Sequence, residues 1–197
     1  FIFSSHDGYG LGHVRRNTLI ARALLAACPD ATATIVTGIP RRPAWLVGEE
    51  RLDVVSVPQL VKDAEGVYAN PGMSFESAIR ARAEAFDRVV LATRPDVVVV
   101  DRHPFGIAGE LRSGLAAARA AGARTVLGLR DVLDDAAAVR IELEGAGWDG
   151  VDEAYDEVLV YGDPILCDHE REYGLPLAPT YCGWVTERPA AAVVEHD

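Results

Sequence analysis

A glycine-rich segment near the start of the chain carries residues that can bind an anion and move a proton. The segment SSHDGYGLGHVRR, residues 4–16, follows a strand-like run and leads into a helix-like one. Gly10 and Gly12 let the backbone turn tightly or approach a ligand closely. Because a helix begins with unpaired N–H groups and a partial positive charge, this junction predicts an anion site, with a diphosphate as its natural ligand. Arg15 and Arg16 would add positive charge.

His13, directly after Gly12, falls in the first turn of the predicted helix. The positive end of the helix dipole disfavours a charged imidazolium, so a neutral ring is expected there. A neutral imidazole accepts a proton at physiological pH, and we predict that His13 is a general base. The alternative is that His13 only packs against the turn or caps it. His6 precedes the glycines on the same edge and is expected to support the site or to contact substrate.

Two common nucleotide-binding motifs are not matched by this segment. A dinucleotide site needs G-x-G-x-x-G and an acidic residue at the end of the second strand. Here Arg15 stands where the third glycine belongs, and the second strand-like run ends in Thr37-Gly38. A Walker A loop needs Gly-Lys-Ser or Gly-Lys-Thr, which the segment lacks. The junction therefore favours an anion site of another kind.

Short β-branched runs alternate with longer helical stretches along the whole chain. The VVVV run at 97–100 lacks polar alternation, as expected of a strand that is covered on both faces. The repeated βαβ order predicts an α/β fold, a doubly wound, Rossmann-like parallel sheet of about seven strands with helices on both faces. The predicted strands cover residues 1–5, 33–37, 53–57, 96–100, 124–129, 157–161 and 180–185.

Apolar residues at helical spacing fill the segments between these strands. The first helix, of about 15 residues, is expected to end before Pro29. The second covers Phe75 to Val90, and the third runs from Ile107 to a stop at Gly122. The segment from Pro58 to Gly72 has no clear period, and a loop of this length is more often functional than idle.

Polar residues follow the predicted strands on the edge that carries the glycine segment. Asp101 ends the VVVV strand and is expected to orient His13 or to bind a substrate hydroxyl, or else to cap the turn after it. His103 is expected to be exposed in that turn and to line the cleft, although a plain surface histidine fits as well. Arg130 follows the next strand and is predicted to bind substrate. Asp134 is expected to be a helix N-cap.

Composition limits the partners and the compartment. The chain has 197 residues, enough for one domain, and a net charge of −11, which argues against nucleic acid or an anionic membrane as a whole-surface partner. A local basic patch and peripheral membrane contact stay open. Three scattered cysteines without a CxxC pair predict a reducing compartment, the cytoplasm, and no spacing indicates a protein-bound metal. No apolar run approaches the roughly 18 residues of a membrane span.

Several segments together resemble one enzyme family. GYGLGHVRRNTLIARAL, residues 8–24, resembles the first strand–helix junction of the GT-B glycosyltransferases related to the lipid-linked peptidoglycan N-acetylglucosaminyltransferase. It is also similar to the UDP-sugar hydrolases of pseudaminic acid synthesis, which share a G-x-G-H-V-x-R signature. A group of predicted bacterial glycosyltransferases is similar from end to end. The further segments of this resemblance are VVVDRHPFG (98–106), LGLRDVLDD (127–135), VLVYGDP (158–164) and GWVTERP (183–189).

The resemblance implies an N-terminal, acceptor-side Rossmann-like domain at residues 1–185 and the start of an interdomain linker at 186–197, without the donor-binding second domain. It implies inverting transfer of a hexosyl group from a nucleotide sugar, a UDP-sugar above all, to a small molecule or a lipid-linked glycan. Gly10 and Gly12 would face the donor diphosphate, and His13 would deprotonate the acceptor. A Mg²⁺ ion carried by the donor stays open. By itself such a half is expected to be inactive.

Two alternatives to a transferase stay open. In a UDP-sugar hydrolase, water would replace the acceptor, and UDP release would need no added acceptor. In a non-catalytic anion- or nucleotide-binding module, the loop would hold phosphate and His13 would be structural.

Overall fold

A seven-stranded parallel sheet forms the centre of the fold. The computed structural model describes residues 1–6, 10–39, 50–64 and 66–187, so residues 188–197 of the predicted linker lie outside the described residues. The strands, in chain order, are β1 (Ile2–Ser5), β2 (Ala33–Thr37), β3 (Leu52–Ser56), β4 (Val61–Lys62), β5 (Tyr68–Ala69), β6 (Val97–Asp101), β7 (Arg124–Arg130), β8 (Glu157–Tyr161) and β9 (Pro179–Tyr181). The helices are α1 (Gly12–Ala27), α2 (Phe75–Thr93), α3 (Arg112–Ala120), α4 (Ala136–Leu143), α5 (Val151–Ala154) and α6 (His169–Tyr173).

The sheet has the order β3-β2-β1-β6-β7-β8-β9, and every neighbouring pair is parallel. The predicted α/β class with about seven strands is therefore confirmed. The chain adds β2 and β3 on one side of β1. It then crosses over and adds β6, β7, β8 and β9 on the other side. The last strand is shorter than the predicted 180–185, because Gly183 takes a φ of 72° and leaves the extended conformation.

Alternate residues of the central strands face two separate apolar clusters, one on each side of the sheet. Phe3 of β1 and Val99 of β6 belong to the cluster that α1 covers. Their neighbours Ile2 and Val98 belong to the cluster that α2 and α3 cover. Helices thus lie on both faces, as predicted. Because both faces are covered, every position of such a strand favours an apolar residue, which explains the VVVV run.

The boundaries of α3 differ from the sequence prediction at its start. The helix begins at Arg112 rather than at Ile107. Gly106 and Gly109 take φ values of 83° and 84°, which a right-handed helix does not contain. The end is as predicted, because Gly122 follows the helix with a φ of 94°.

The other helices begin and end close to the predicted positions. The first helix ends at Ala27, before Pro29, and the second covers the predicted apolar repeat. The prediction that Asp134 caps α4 is wrong by one residue. Asp135 is the N-cap, because its side chain accepts the N–H groups of the first helical turn, whereas the Asp134 side chain accepts the N–H of Asp135.

The segment from Pro58 to Gly72 contains an antiparallel hairpin, β4–β5. Its base is fixed because the side chain of Asn70 donates to the carbonyl of Gln59. Arg82 of α2 donates to the carbonyl of Pro58 and forms a buried ion pair with Glu110, at 3.0 Å. Strands of two residues show no alternation, which is why the sequence pattern does not reveal them.

Gly114 lies in α3, and we expect Gly114→Ala to destabilise the fold. An added Cβ would stand 2.4 Å from Cδ1 of Phe86, which is fully buried. Overpacking of this kind costs about 1–3 kcal/mol, more than the roughly 1 kcal/mol by which alanine favours a helix over glycine. Chemical denaturation measures the difference. Gly147→Ala is the control, because an added Cβ there meets none of the residues that the structure describes within 4 Å. Equal stability of the two variants would contradict the expectation.

Candidate functional site

The crossover of the chain brings the predicted histidine and aspartate to one edge of the sheet. The strand order reverses between β1 and β6, and open α/β sheets bind ligands at the carboxyl ends of such a pair. His6 directly follows β1, and His13 is the second residue of α1. Asp101 is the last residue of β6. The two segments therefore meet at the edge where a ligand site is expected.

The His13 ring lies directly against the carboxylate of Asp101. The distance from His13 Nδ1 to Asp101 Oδ1 is 3.1 Å. A neutral ring with its proton on Nδ1 would donate to this carboxylate, whereas a ring with its proton on Nε2 would accept a hydrogen bond at Nδ1. The Asp101 side chain is fully buried, whereas 29% of the His13 side chain is exposed. The pair thus places a ring that a substrate can reach beside a buried carboxylate.

Arg16 lies one helical turn after His13 and contacts the same carboxylate. Its Nη2 is 2.6 Å from both carboxylate oxygens of Asp101 and 3.2 Å from His13 Nδ1. The guanidinium also lies over the ring of Tyr161, 5.0 Å from the ring centroid. The charge of Arg16 is therefore paired with Asp101 rather than free for an anion. Residues three apart share a face of a helix, which is the signal in the sequence that links Arg16 to His13.

Three aromatic rings, those of His6, His103 and Tyr68, form a cluster beside His13. The ring centroid of His6 is 6.4 Å from that of His13 and 4.7 Å from that of His103. Tyr68 of the hairpin places its hydroxyl 3.2 Å from His6 Nε2. Burial lowers the pKa of His6 to about 2 and that of His103 to about 3, so both rings are neutral at physiological pH.

The expectation that His103 is exposed is wrong. Only 20% of its side chain is accessible, because the ring packs against His6 and Tyr68. Tyr68 itself belongs to the long segment that the sequence marked as functional, but its position beside His6 depends on the fold of the hairpin. No periodic signal in the sequence could have identified it.

Arg102 holds the turn between Asp101 and His103 in an unusual backbone conformation. Its φ is 74°, in the left-handed region that non-glycine residues rarely adopt. The guanidinium forms a bidentate pair with Glu142, at 2.9 and 2.7 Å, and the backbone N–H donates to the carbonyl of Gly128. Such strain costs about 1–3 kcal/mol and persists where the surroundings fix it. The turn therefore sets the direction in which the chain leaves Asp101.

Gly12 lines a cavity of about 250 Å³ at the N-terminus of α1. Neither Gly10 nor Gly12 has a positive φ, so the tight turn that the sequence suggested does not explain these glycines. A Cβ added to Gly12 would meet no atom of the described residues within 4 Å. The space in front of this residue is therefore open, which fits the close approach of a ligand to the first helical turn.

Arg15 and Arg130 line the same cavity from α1 and from the end of β7. The Arg15 side chain is mostly exposed and lies 3.6 Å from the carboxylate of Glu187. Arg130 donates to the carbonyl of Leu133. His169 is fully buried, and its Nε2 lies 3.0 Å from the backbone carbonyl oxygen of Arg130. It therefore supports the backbone that carries Arg130.

The described part of the chain contains no group of three histidine, cysteine, aspartate or glutamate side chains that could hold a metal ion. Over the same residues, no helix combines the length and the apolar character that a membrane span requires. Cys28, Cys167 and Cys182 are free thiols.

The fold is similar to solved plant structures. Os79 from O. sativa, in complex with UDP, has a TM-score of 0.51 and 14% identity, and the match covers 89% of this chain and 50% of that one. Apo UGT2 of Phytolacca americana has a TM-score of 0.51 and 9% identity, and the match covers 91% of this chain and 50% of that one. UGT2 of Phytolacca americana in complex with UDP-2-fluoro-glucose and pterostilbene has a TM-score of 0.50 and 10% identity. The match covers 91% of this chain and 51% of that one. No family model and no curated protein matches the sequence.

The chain spans about half the length of the structures that it matches. At sequence identities of 9–14%, the similarity to these structures is evidence about the fold alone. The chain has an α/β, Rossmann-like fold that matches about half of each of these structures.

Proposed function

We propose that this chain is the acceptor-side half of a nucleotide-sugar-dependent glycosyltransferase, with residues 1–185 as the acceptor domain and residues 186–197 as the start of a linker to a donor-binding domain. The observation that carries the proposal is the pair of His13 and Asp101, a reachable proton acceptor oriented by a buried carboxylate. Two of the similar structures hold UDP or UDP-2-fluoro-glucose, which supports a UDP-sugar donor. Their greater length supports a second domain.

In the proposed reaction, the acceptor hydroxyl gives its proton to the unprotonated nitrogen of the His13 ring while its oxygen attacks the anomeric carbon of the donor hexose. The bond between that carbon and the diphosphate oxygen breaks, and UDP leaves with the bonding electrons. Attack from the face opposite the leaving group inverts the anomeric configuration. The carboxylate of Asp101 stabilises the imidazolium that forms, which then releases its new proton to solvent.

The first turn of α1 is the proposed contact for the donor diphosphate. Its N–H groups and helix dipole favour an anion, and Arg15 and Arg130 add positive charge at the same cavity. These groups would stabilise the negative charge that grows on the leaving diphosphate. A Mg²⁺ ion that arrives with the donor would act at the same place, and we assign no protein ligand to it.

Gly12→Ala is expected to weaken donor binding without weakening the fold. Within the described part of the chain, the new Cβ meets no atom within 4 Å, but it would occupy the space that the diphosphate needs. Loss of about one backbone hydrogen bond corresponds to roughly tenfold weaker UDP binding. Calorimetry of UDP binding by the complete protein, with a thermal melt of the same sample, measures both quantities. Unchanged UDP affinity would count against the diphosphate contact.

The hairpin β4–β5 and the helix after it are the proposed acceptor contact, since Tyr68 borders the cluster beside His13. Tyr68→Ala removes one wall of that cluster, and we expect the acceptor KM to rise several-fold more than the donor KM. Steady-state kinetics with each substrate varied in turn gives the comparison. Tyr68→Phe, which keeps the ring, is the matched control and should retain most of the acceptor affinity. A larger rise in donor KM would reject this location.

UDP release by the complete protein tests the proposal as a whole. The protein is incubated with a panel of UDP-sugars, with and without candidate hydroxyl acceptors, and released UDP is measured. Release that depends on an acceptor supports the transferase, whereas equal release in both arms identifies a hydrolase. UDP binding without any release identifies a non-catalytic module.

A further inference from the structure

The cavity at the N-terminus of α1 combines two kinds of chemistry in its lining. The first turn of α1, together with Arg15 and Arg130, brings N–H groups and positive charge. The same lining also includes the carboxylate side chain of Asp131 and the indole of Trp184. A carboxylate repels a diphosphate, and an apolar ring gives it no hydrogen bond. Asp131 and Trp184 therefore suit a part of the ligand other than the diphosphate.

A turn after the last strand places Trp184 at this cavity. The N–H of Gly183 donates to the carbonyl of Gly162, which directly follows β8, and Gly183 then takes a φ of 72°. The next residue is Trp184, whose Nε1 donates to Oδ2 of Asp131 at 3.2 Å. Although this bond fixes the direction of the indole, 56% of Trp184 is exposed. The ring is thus oriented by the protein and still open to a ligand.

Asp131 is held beside the indole from two sides. Its Oδ1 accepts the N–H of Val132 at 3.0 Å, and its Oδ2 accepts the N–H of the Trp184 indole. A Cβ added to Gly162 would stand 2.6 Å from Cβ of Asp131, so this position depends on a glycine in the neighbouring segment. Each carboxylate oxygen accepts two hydrogen bonds. Each therefore keeps a lone pair for a donor on a ligand.

A hexose ring matches an indole that stands beside a carboxylate. One face of such a ring carries C–H groups that pack against an aromatic surface, and its hydroxyls donate strong hydrogen bonds to a carboxylate. In a nucleotide sugar the hexose is bonded directly to the diphosphate, so its site must adjoin the diphosphate contact. Trp184 and Asp131 meet this requirement, because they line the same cavity as Gly12 and Arg15.

We propose that Trp184 and Asp131 form a hexose subsite, in which the indole packs against the sugar ring of the donor and the carboxylate accepts hydrogen bonds from its hydroxyls. The inference rests on the proposed function, because it extends the donor contact from the diphosphate to the sugar. It assigns part of the choice of sugar to this half of the protein. The two residues distinguish a UDP-sugar from UDP, which has no ring to place there.

Calorimetry of the complete protein with UDP and with a UDP-sugar tests the subsite. The UDP-sugar is the one that the native protein binds most tightly among UDP-glucose, UDP-galactose and UDP-N-acetylglucosamine. In Trp184→Ala we expect the Kd of the UDP-sugar to rise about tenfold and that of UDP to change by less than about twofold. Leu91→Ala removes an exposed apolar side chain of α2 and is the matched control, with both affinities native.

Asp131→Asn gives a result of opposite sign for the two ligands. The amide oxygen can still accept the indole N–H, so Trp184 keeps its place, but the variant loses the charge that strengthens the bonds to sugar hydroxyls. We expect the UDP-sugar to bind about tenfold more weakly. UDP should bind as tightly as before or more tightly, because a negative charge near the diphosphate is gone. A general folding defect would weaken both ligands and could not produce this pattern.

The comparison of the two ligands separates the inference from the proposed function. If the native protein binds UDP and a UDP-sugar but both variants keep the native ratio of the two affinities, the inference fails and the proposed donor contact stands. Equal weakening of both ligands in Trp184→Ala also overturns the inference, because the indole would then support the fold or pack against a second domain. A native protein that binds neither ligand would contradict the proposed function, and the inference with it.

Discussion

Replacing His13 by alanine in the complete protein is expected to lower turnover on the order of a hundredfold or more and to leave donor binding nearly unchanged. The loss follows because the variant has no group to accept the acceptor proton in the transition state. Donor binding survives because the proposed diphosphate contacts lie at the first turn of α1 and not on the imidazole. Steady-state kinetics gives kcat, and calorimetry gives UDP affinity for the same sample.

His13→Gln is the companion variant, because glutamine keeps a polar side chain of similar length but accepts no proton. If His13 is a general base, His13→Gln and His13→Ala should lose turnover to the same extent. If His13 only packs against the turn or caps it, His13→Gln should retain turnover. If turnover of His13→Ala stayed within a few-fold of the native value, His13 would not be the general base.

Asp101→Asn is expected to lower turnover by about a hundredfold to ten-thousandfold. An amide carries no negative charge, so it cannot stabilise the imidazolium that forms when His13 accepts the acceptor proton. The change also leaves the mostly buried Arg16 without its partner, so a stability loss of about 3 kcal/mol is expected. Turnover and chemical denaturation are measured on the same preparation.

Asp96→Asn is the matched control for that variant. Asp96 is an exposed residue just before the amino end of the same strand. Surface substitutions of this kind change stability by no more than about 0.5 kcal/mol, and turnover should be native. If Asp101→Asn kept turnover within tenfold of the native value, Asp101 would not orient the base.

The fold was predictable because a doubly covered parallel sheet has a strong sequence pattern. The run VVVV at 97–100 needs no polar alternation when both faces are packed, and Pro29 and Gly122 mark helix ends for backbone reasons. The two predictions that were wrong, the start of α3 and the N-cap of α4, depend on single residues. Gly106 and Gly109 interrupt an apolar repeat that otherwise continues, and Asp135 competes with Asp134 for the same cap.

The site was predictable as a set of residues but not as an arrangement. His13 and Asp101 could both be assigned to the carboxyl edge, yet orientation of His13 by Asp101 was one of several open roles for the aspartate. Arg16 and Asp101 are 85 residues apart in sequence, and only the adjacency of β1 and β6 brings them together. The position of Tyr68 depends on a hairpin whose strands are too short to leave a pattern.

Chemical rescue of the His13→Ala variant tests the central claim most directly. The variant lacks a partly exposed ring, so free imidazole can enter the space and accept the acceptor proton. With donor and acceptor present, we predict that added imidazole raises turnover in proportion to its unprotonated fraction and then saturates. The native protein should not respond. A variant that still binds UDP but gains no turnover at any imidazole concentration would contradict the account.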